Sequence, residues 1–146
     1  MDFKDLEAKL KKAIEMLLKN DLFLLEIKAH ERSVAHKLAE YLQQKFPEYH
    51  IDCEYNRDKG FIKKLEGISE CRGSTDLVYP DIIIHRRNTD DNLLVIEIKT
   101  SNDSEKCDFK KLELFTDLSG KYKYQFGLFL KFDCERLVDT KWYKKR

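Results

Sequence analysis

The chain has 146 residues, of which 42% are hydrophobic and 38% charged. That length fits one domain around one core, and the apolar share is too high for an intrinsically disordered chain. Lysine plus arginine (28) nearly balances aspartate plus glutamate (27), so the bulk charge selects no partner and lacks the basic excess common among nucleic-acid binders.

In chain order, residues 2–20 read as an amphipathic helix, with Phe3, Leu6, Leu10, Ile14, Leu17 and Leu18 at helical spacing. The apolar run 21–27 fits no single template. A second helix is expected over 30–46, marked by Val34, Leu38, Tyr41, Leu42 and Phe46 and stopped by Pro47. Residues 49–55 alternate, with Tyr49, Ile51, Cys53 and Tyr55 on one face, as in a half-buried strand. Residues 57–75 read as a long loop containing Gly60, Gly67 and Gly73. Two nearly continuous apolar strands, 81–85 and 93–99, are joined by the polar turn 86–92, which predicts a hairpin in a sheet covered on both faces. A helix follows over 104–118, with Ser104 as its cap and Phe109, Leu112, Leu114 and Phe115 as core. The last predicted strand is 124–132. From Lys121 to Arg146 there are eight basic residues against three acidic; residues 141–146 read as a solvated end, with contact to phosphates as the alternative.

This order predicts an α/β fold, a mixed sheet flanked by helices, in one domain spanning 1–146. The final strand follows a crossover helix and so can lie parallel to its neighbour. No secretory segment and no membrane-spanning run is apparent, so a cytoplasmic protein with no membrane partner is expected. Cys53, Cys71, Cys107 and Cys134 form no Cys-x-x-Cys pair, which argues against zinc and for reduced thiols.

The chemistry lies in Pro80-Asp81-Ile82-Ile83-Ile84 and Val95-Ile96-Glu97-Ile98-Lys99. Side chains alternate along a strand, so Glu97 and Lys99 share a face. If the strands pair as a hairpin, Asp81 falls beside them. Burying such charges is costly unless they are paired or bind a metal. Two neighbouring carboxylates suit a hard cation such as magnesium, which takes one or two carboxylates plus water and phosphate oxygens. One acid–base side chain supplies roughly 10²–10⁴-fold acceleration, whereas enzymes reach about 10⁶-fold and far beyond, so the lysine alone falls short and a metal is expected. Glu-x-Lys also occurs at Glu7-Ala8-Lys9 and Glu26-Ile27-Lys28, but only Glu97-Ile98-Lys99 follows an Asp-bearing strand and precedes a helix and strand. A structural ion pair is the competing reading.

Pro80-Asp81 followed by Glu97-Ile98-Lys99 resembles the signature of the PD-(D/E)XK nuclease superfamily. The element order from His30 to Phe132 resembles its restriction-endonuclease-like αβββαβ core, here preceded by an extra N-terminal helix. The resemblance implies a magnesium-dependent phosphodiesterase, with manganese as a substitute, acting on nucleic acid and usually DNA. It assigns metal binding to Asp81 and Glu97 and water activation to Lys99. Glu31 matches a glutamate that many members carry before the first strand; a first-turn glutamate favouring the helix dipole is the alternative. A Gln-x-x-x-Tyr element after the lysine, found in some branches, is missing. Dimers are common for such folds. A non-catalytic member acting as a nucleic-acid-binding or assembly module is the second reading, favoured by the near-neutral charge.

Arg57, Thr100, Tyr124 and Gln125 are secondary candidates for contact with nucleic acid, each with a bland alternative in surface exposure, turn formation or edge packing. His85 shares the parity of Asp81 but reads as a solvated strand end. Lys106, Lys110 and Lys111 read as solvated helix lysines.

Overall fold

The computed structural model describes residues 1–55, 57–58, 61–62 and 79–145. Helix α1 (Phe3–Glu26) buries Leu6, Leu10, Ala13, Ile14 and Leu17 at three- and four-residue spacing. It extends through the stretch that fits no template from sequence, and the reason is local. Asp21 leaves helical geometry (φ −128°, ψ 23°), which shifts the phase of the apolar stripe before Leu25 is buried again. The Tyr41 hydroxyl donates to the Asp21 carboxylate and ties this kink to the second helix. Helix α2 (Glu31–Lys45) begins where the His30 ring accepts from the Arg32 amide, and it ends before Pro47.

Among the described residues seven strands and a third helix follow: β1 (His50–Cys53), β2 (Arg57–Asp58), β3 (Phe61–Ile62), β4 (Ile82–His85), β5 (Asn92–Lys99), α3 (Lys106–Thr116), β6 (Phe126–Phe132) and β7 (Leu137–Lys144). Strands β2 and β3 pair with each other. The other five form a mixed sheet in the order β1-β4-β5-β6-β7, antiparallel except for β5 and β6. Helix α3 is the crossover that makes that one pair parallel. The protein is thus α/β, with a five-stranded mixed sheet flanked by helices.

Alternation along the strands divides the core in two. Ile82, Ile84, Leu94, Ile96, Leu128 and Leu130 pack under α1 and α2. Ile83, Val95 and Phe129 face the other way, against Leu112 and Phe115 of α3. With both faces covered, β4 and β5 are buried at nearly every position. Glu97 and Lys99 continue the Val95 row and therefore emerge beneath α3.

Several sequence expectations need correction. Residues 141–144 are not a free solvated end but the last part of the edge strand β7, paired along β6. Trp142 meets Phe3 edge-on at 5.0 Å, and the Lys144 ammonium lies 4.4 Å from the centre of the same ring. Glu105, not Ser104, holds the N-cap position of α3, but the Ser104 Oγ still accepts from the Lys106 N–H at 3.3 Å and so serves the first amide of the helix. Cys107 is disulfide-bonded, whereas Cys53 and Cys134 are free, so the expectation of reduced thiols throughout fails; Cys71 lies outside the described residues. Among the described residues no helix is long and apolar enough to cross a membrane.

Candidate active site

The β4–β5 hairpin pairs Ile82 with Ile96. Asp81, one residue before β4, therefore falls beside Glu97, and the two are locked reciprocally. The Asp81 backbone N–H donates to Glu97 Oε2 at 3.2 Å, and Asp81 Oδ2 accepts from the Ile98 N–H at 2.7 Å. Each carboxylate is thus held by the other strand's backbone, and the pair cannot separate without opening the hairpin.

Glu97 is 1% exposed. Its Oε1 is in close ion contact with the Lys111 ammonium. Lys111, 2% exposed, reaches in from α3 and also donates to the Tyr79 carbonyl at 3.5 Å. Beside this pair, Lys99 Nζ binds Asp108 Oδ2, again from α3, at 3.0 Å. Glu31, the first residue of α2, accepts from the Thr100 backbone N–H at 3.1 Å and lies 3.5 Å from the Thr100 hydroxyl. Asp81, Glu97, Lys99 and Glu31 are therefore gathered at the C-terminal end of β5, between α2 and α3. Glu31 does more than complement a helix dipole, because it fastens the helix to the end of that strand.

Sequence reasoning missed Asp108 and Lys111. Their signal is phase: positions 108, 111, 112 and 115 recur at helical spacing with the buried Leu112 and Phe115. Lys111 is not a solvated helix lysine.

The protonation pattern follows from this packing. Burial pushes the Asp81 carboxyl well up, and the neighbouring Glu97 adds to the push through its charge and hydrogen bond; the Ile98 N–H and Lys111 oppose it. Burial also raises Asp108, with Glu97 adding to it and Lys99 opposing. Burial pulls Lys99 down, but its bond to Asp108 and the charges of Asp108 and Glu31 outweigh this and leave it raised. Lys99 is therefore held as a cation, suited to orienting a water or a phosphate by donating hydrogen bonds and not to removing a proton.

The site provides two convergent carboxylates, and no group of three or more acidic, histidine or cysteine side chains suited to a metal occurs among the described residues. Two carboxylates match the protein share of a magnesium shell, whose remaining ligands are water and substrate oxygens. Glu97 Oε1 is buried and paired with the Lys111 ammonium, so an ion would take this oxygen only by displacing the lysine.

The secondary candidates are less favourably placed. Tyr124 is fully buried, edge-on to Phe115 at 5.6 Å, so it packs in the core and does not line a cleft. Gln125 is half-buried and spends its backbone on Asn92 and Lys145. The Arg57 side chain lies outside the described residues. His85 is buried, not solvated: its Nε2 lies 2.7 Å from Asp52 Oδ2, and Arg87 grips the same carboxylate. Burial works against the charge on Asp52, but these two partners win and hold it well below the usual carboxylate range. His85 lies four residue steps along the strand from Asp81, about 13 Å, so this is a structural cluster apart from the site.

Compared with models of known families, with curated proteins and with solved structures, the chain finds no match.

Proposed function

We propose that the chain is a magnesium-dependent phosphodiesterase of the PD-(D/E)XK type, a nuclease acting on DNA. The observation that carries this reading is the reciprocal lock between Asp81 and Glu97 at the mouth of the β4–β5 hairpin, with Lys99 on the same face. A fold built only for stability gains little by placing two repelling carboxylates side by side. The order of elements from α2 to β6, with its parallel β5–β6 pair, supports a restriction-endonuclease-like core.

In this reading Asp81 and Glu97 hold the ion. A divalent cation there supplies positive charge to a phosphoryl oxygen and favours ionisation of water. Water adds to phosphorus, one P–O ester bond breaks, and the products are a phosphomonoester and an alcohol. Lys99, fixed by Asp108, donates to the attacking water or to a phosphate oxygen. Glu31 positions the end of β5 through Thr100.

Linear and branched duplex DNA incubated with magnesium or manganese tests this directly. The parent chain is expected to cut, and Asp81→Asn and Lys99→Ala each to lose at least about 10²-fold in rate. Variants as active as the parent would show that hydrolysis, if present, occurs elsewhere.

One observation favours the second reading, a nuclease-fold module without catalysis. Lys111 and Lys99 already answer the charges of Glu97 and Asp108. Calorimetry separates the two: a module gives no manganese binding that depends on Glu97.

A further inference from the structure

Lys111 stands where an incoming cation would have to bind. Glu97 Oε2 is taken by the Asp81 N–H, which leaves Oε1 as the oxygen open to a cation, and the Lys111 ammonium is on it. The two side chains are 1% and 3% exposed, so no solvent separates or screens them. The other hold on Lys111 is weak, a 3.5 Å contact with the Tyr79 carbonyl. The nearest acid on the same helix, Asp108, already holds Lys99 at 3.0 Å. An ammonium and a divalent ion cannot share one carboxylate oxygen at contact distance without strong repulsion in so dry a place.

We propose that Lys111 is a built-in competitor for the divalent cation, so that metal loads only by breaking the Lys111–Glu97 ion pair. The inference rests on the metal-binding role given above to Asp81 and Glu97. The site is then stable without metal and is tuned to weak, reversible loading. The buried ammonium supplies the counter-charge until the ion arrives.

Manganese titration of the metal-free full chain by calorimetry, with thermal melting as an independent readout, tests the competition. The variants are Lys111→Met, close to lysine in shape, and Lys111→Gln, which keeps a hydrogen-bond donor for Glu97 should the methionine variant fold poorly. Glu97→Gln reports whether binding occurs at this site. Both Lys111 variants are expected to bind manganese at least about tenfold more tightly than the parent. Without metal they should melt lower, because Glu97 is left buried without its partner. Manganese should then raise their melting temperature by more than it raises the parent's.

Unchanged or weaker binding in both variants, with parental binding lost in Glu97→Gln, overturns the competition and leaves the metal site standing. Binding by the variants but not by the parent upholds the competition and removes the parent's claim to catalysis. No binding by any form defeats both. Variants that stay unfolded with and without manganese also overturn the inference, since the ion pair would then be a structural strut that metal cannot replace.

Discussion

Asp81 carries the electrostatic cost of the paired carboxylates. Burial and Glu97 raise its folded-state value above the ordinary 3.8. Below 3.8 the carboxyl is protonated in both folded and unfolded chains and costs nothing. As pH rises from 3.8 through the raised value, the folded chain holds a proton that the unfolded chain has released, so stability falls. Asp81→Asn removes this loss while its amide oxygen still accepts from the Ile98 N–H. Metal-free Asp81→Asn is therefore expected to melt above the parent at neutral pH and to converge with it below pH 3.8, even as cleavage is lost. Asp52, held down by His85 and Arg87, contributes stability that disappears as pH falls below its ordinary range, but it does so equally in both proteins and cancels in the comparison. A variant that melts below the parent at neutral pH would mean that the two carboxylates do not oppose folding. At this scale Asp81, Glu97 and Lys99 were legible because strand parity and a hairpin suffice to bring them together. Lys111 and Asp108 were not, because a lysine or aspartate on a charged helix looks solvated until the sheet it lies on is known.

Among the elements, α3 matters most, because it delivers both Lys111 and Asp108. Its distance from the sheet is set at Gly127 on β6. A Cβ built there would lie 3.3 Å from Leu112 Cδ2, from Thr116 Cγ2 and from Tyr143 Cβ, with α3 on one side and β7 on the other. Gly127→Val adds branched bulk to that contact; Tyr143 Cβ can withdraw only with β7, and the Leu112 and Thr116 methyls only by repacking a buried layer. We expect a loss of about 1–3 kcal/mol, read as a lower denaturant midpoint, with Gly127→Ala closer to the parent. Manganese binding should weaken in Gly127→Val although the residue touches none of the site's side chains; unaltered stability would mean that α3 can ride outward freely. The hairpin was readable because Ile82–Ile84 and Leu93–Ile96 are unbroken apolar runs, and the crossover helix because Phe109, Leu112 and Phe115 recur at helical spacing. Strand β7 was not, because on an edge strand most side chains face solvent, and of its eight residues Tyr143 alone is buried. The tail of α1 was hidden for another reason: the kink at Asp21 shifts the helical period in mid-helix.

For the molecule as a whole, the balance of 28 basic against 27 acidic residues limits how nucleic acid can be held. Both sheet faces are covered by helices, so among the described residues the open approach to the site is the end of β5, where Lys99, Thr100 and Lys131 are half-buried and Lys131 is already bound to Glu105 at 2.9 Å. Among the described residues, few cations there are free to replace counterions. Each phosphate neutralised on duplex DNA contributes about −0.9 to the slope of log affinity against log salt. Three or fewer such contacts predict a slope no steeper than about −3. Fluorescence anisotropy with a labelled duplex and the metal-free chain, from about 50 to 200 mM salt, measures it. A slope twice as steep would place most of the binding on a basic surface away from Asp81 and Glu97, with the pair reached only in passing. A shallow slope, together with loss of binding in Lys99→Ala, would locate recognition at the site itself, where charge that is nearly cancelled over the whole chain is concentrated in one short stretch of strand.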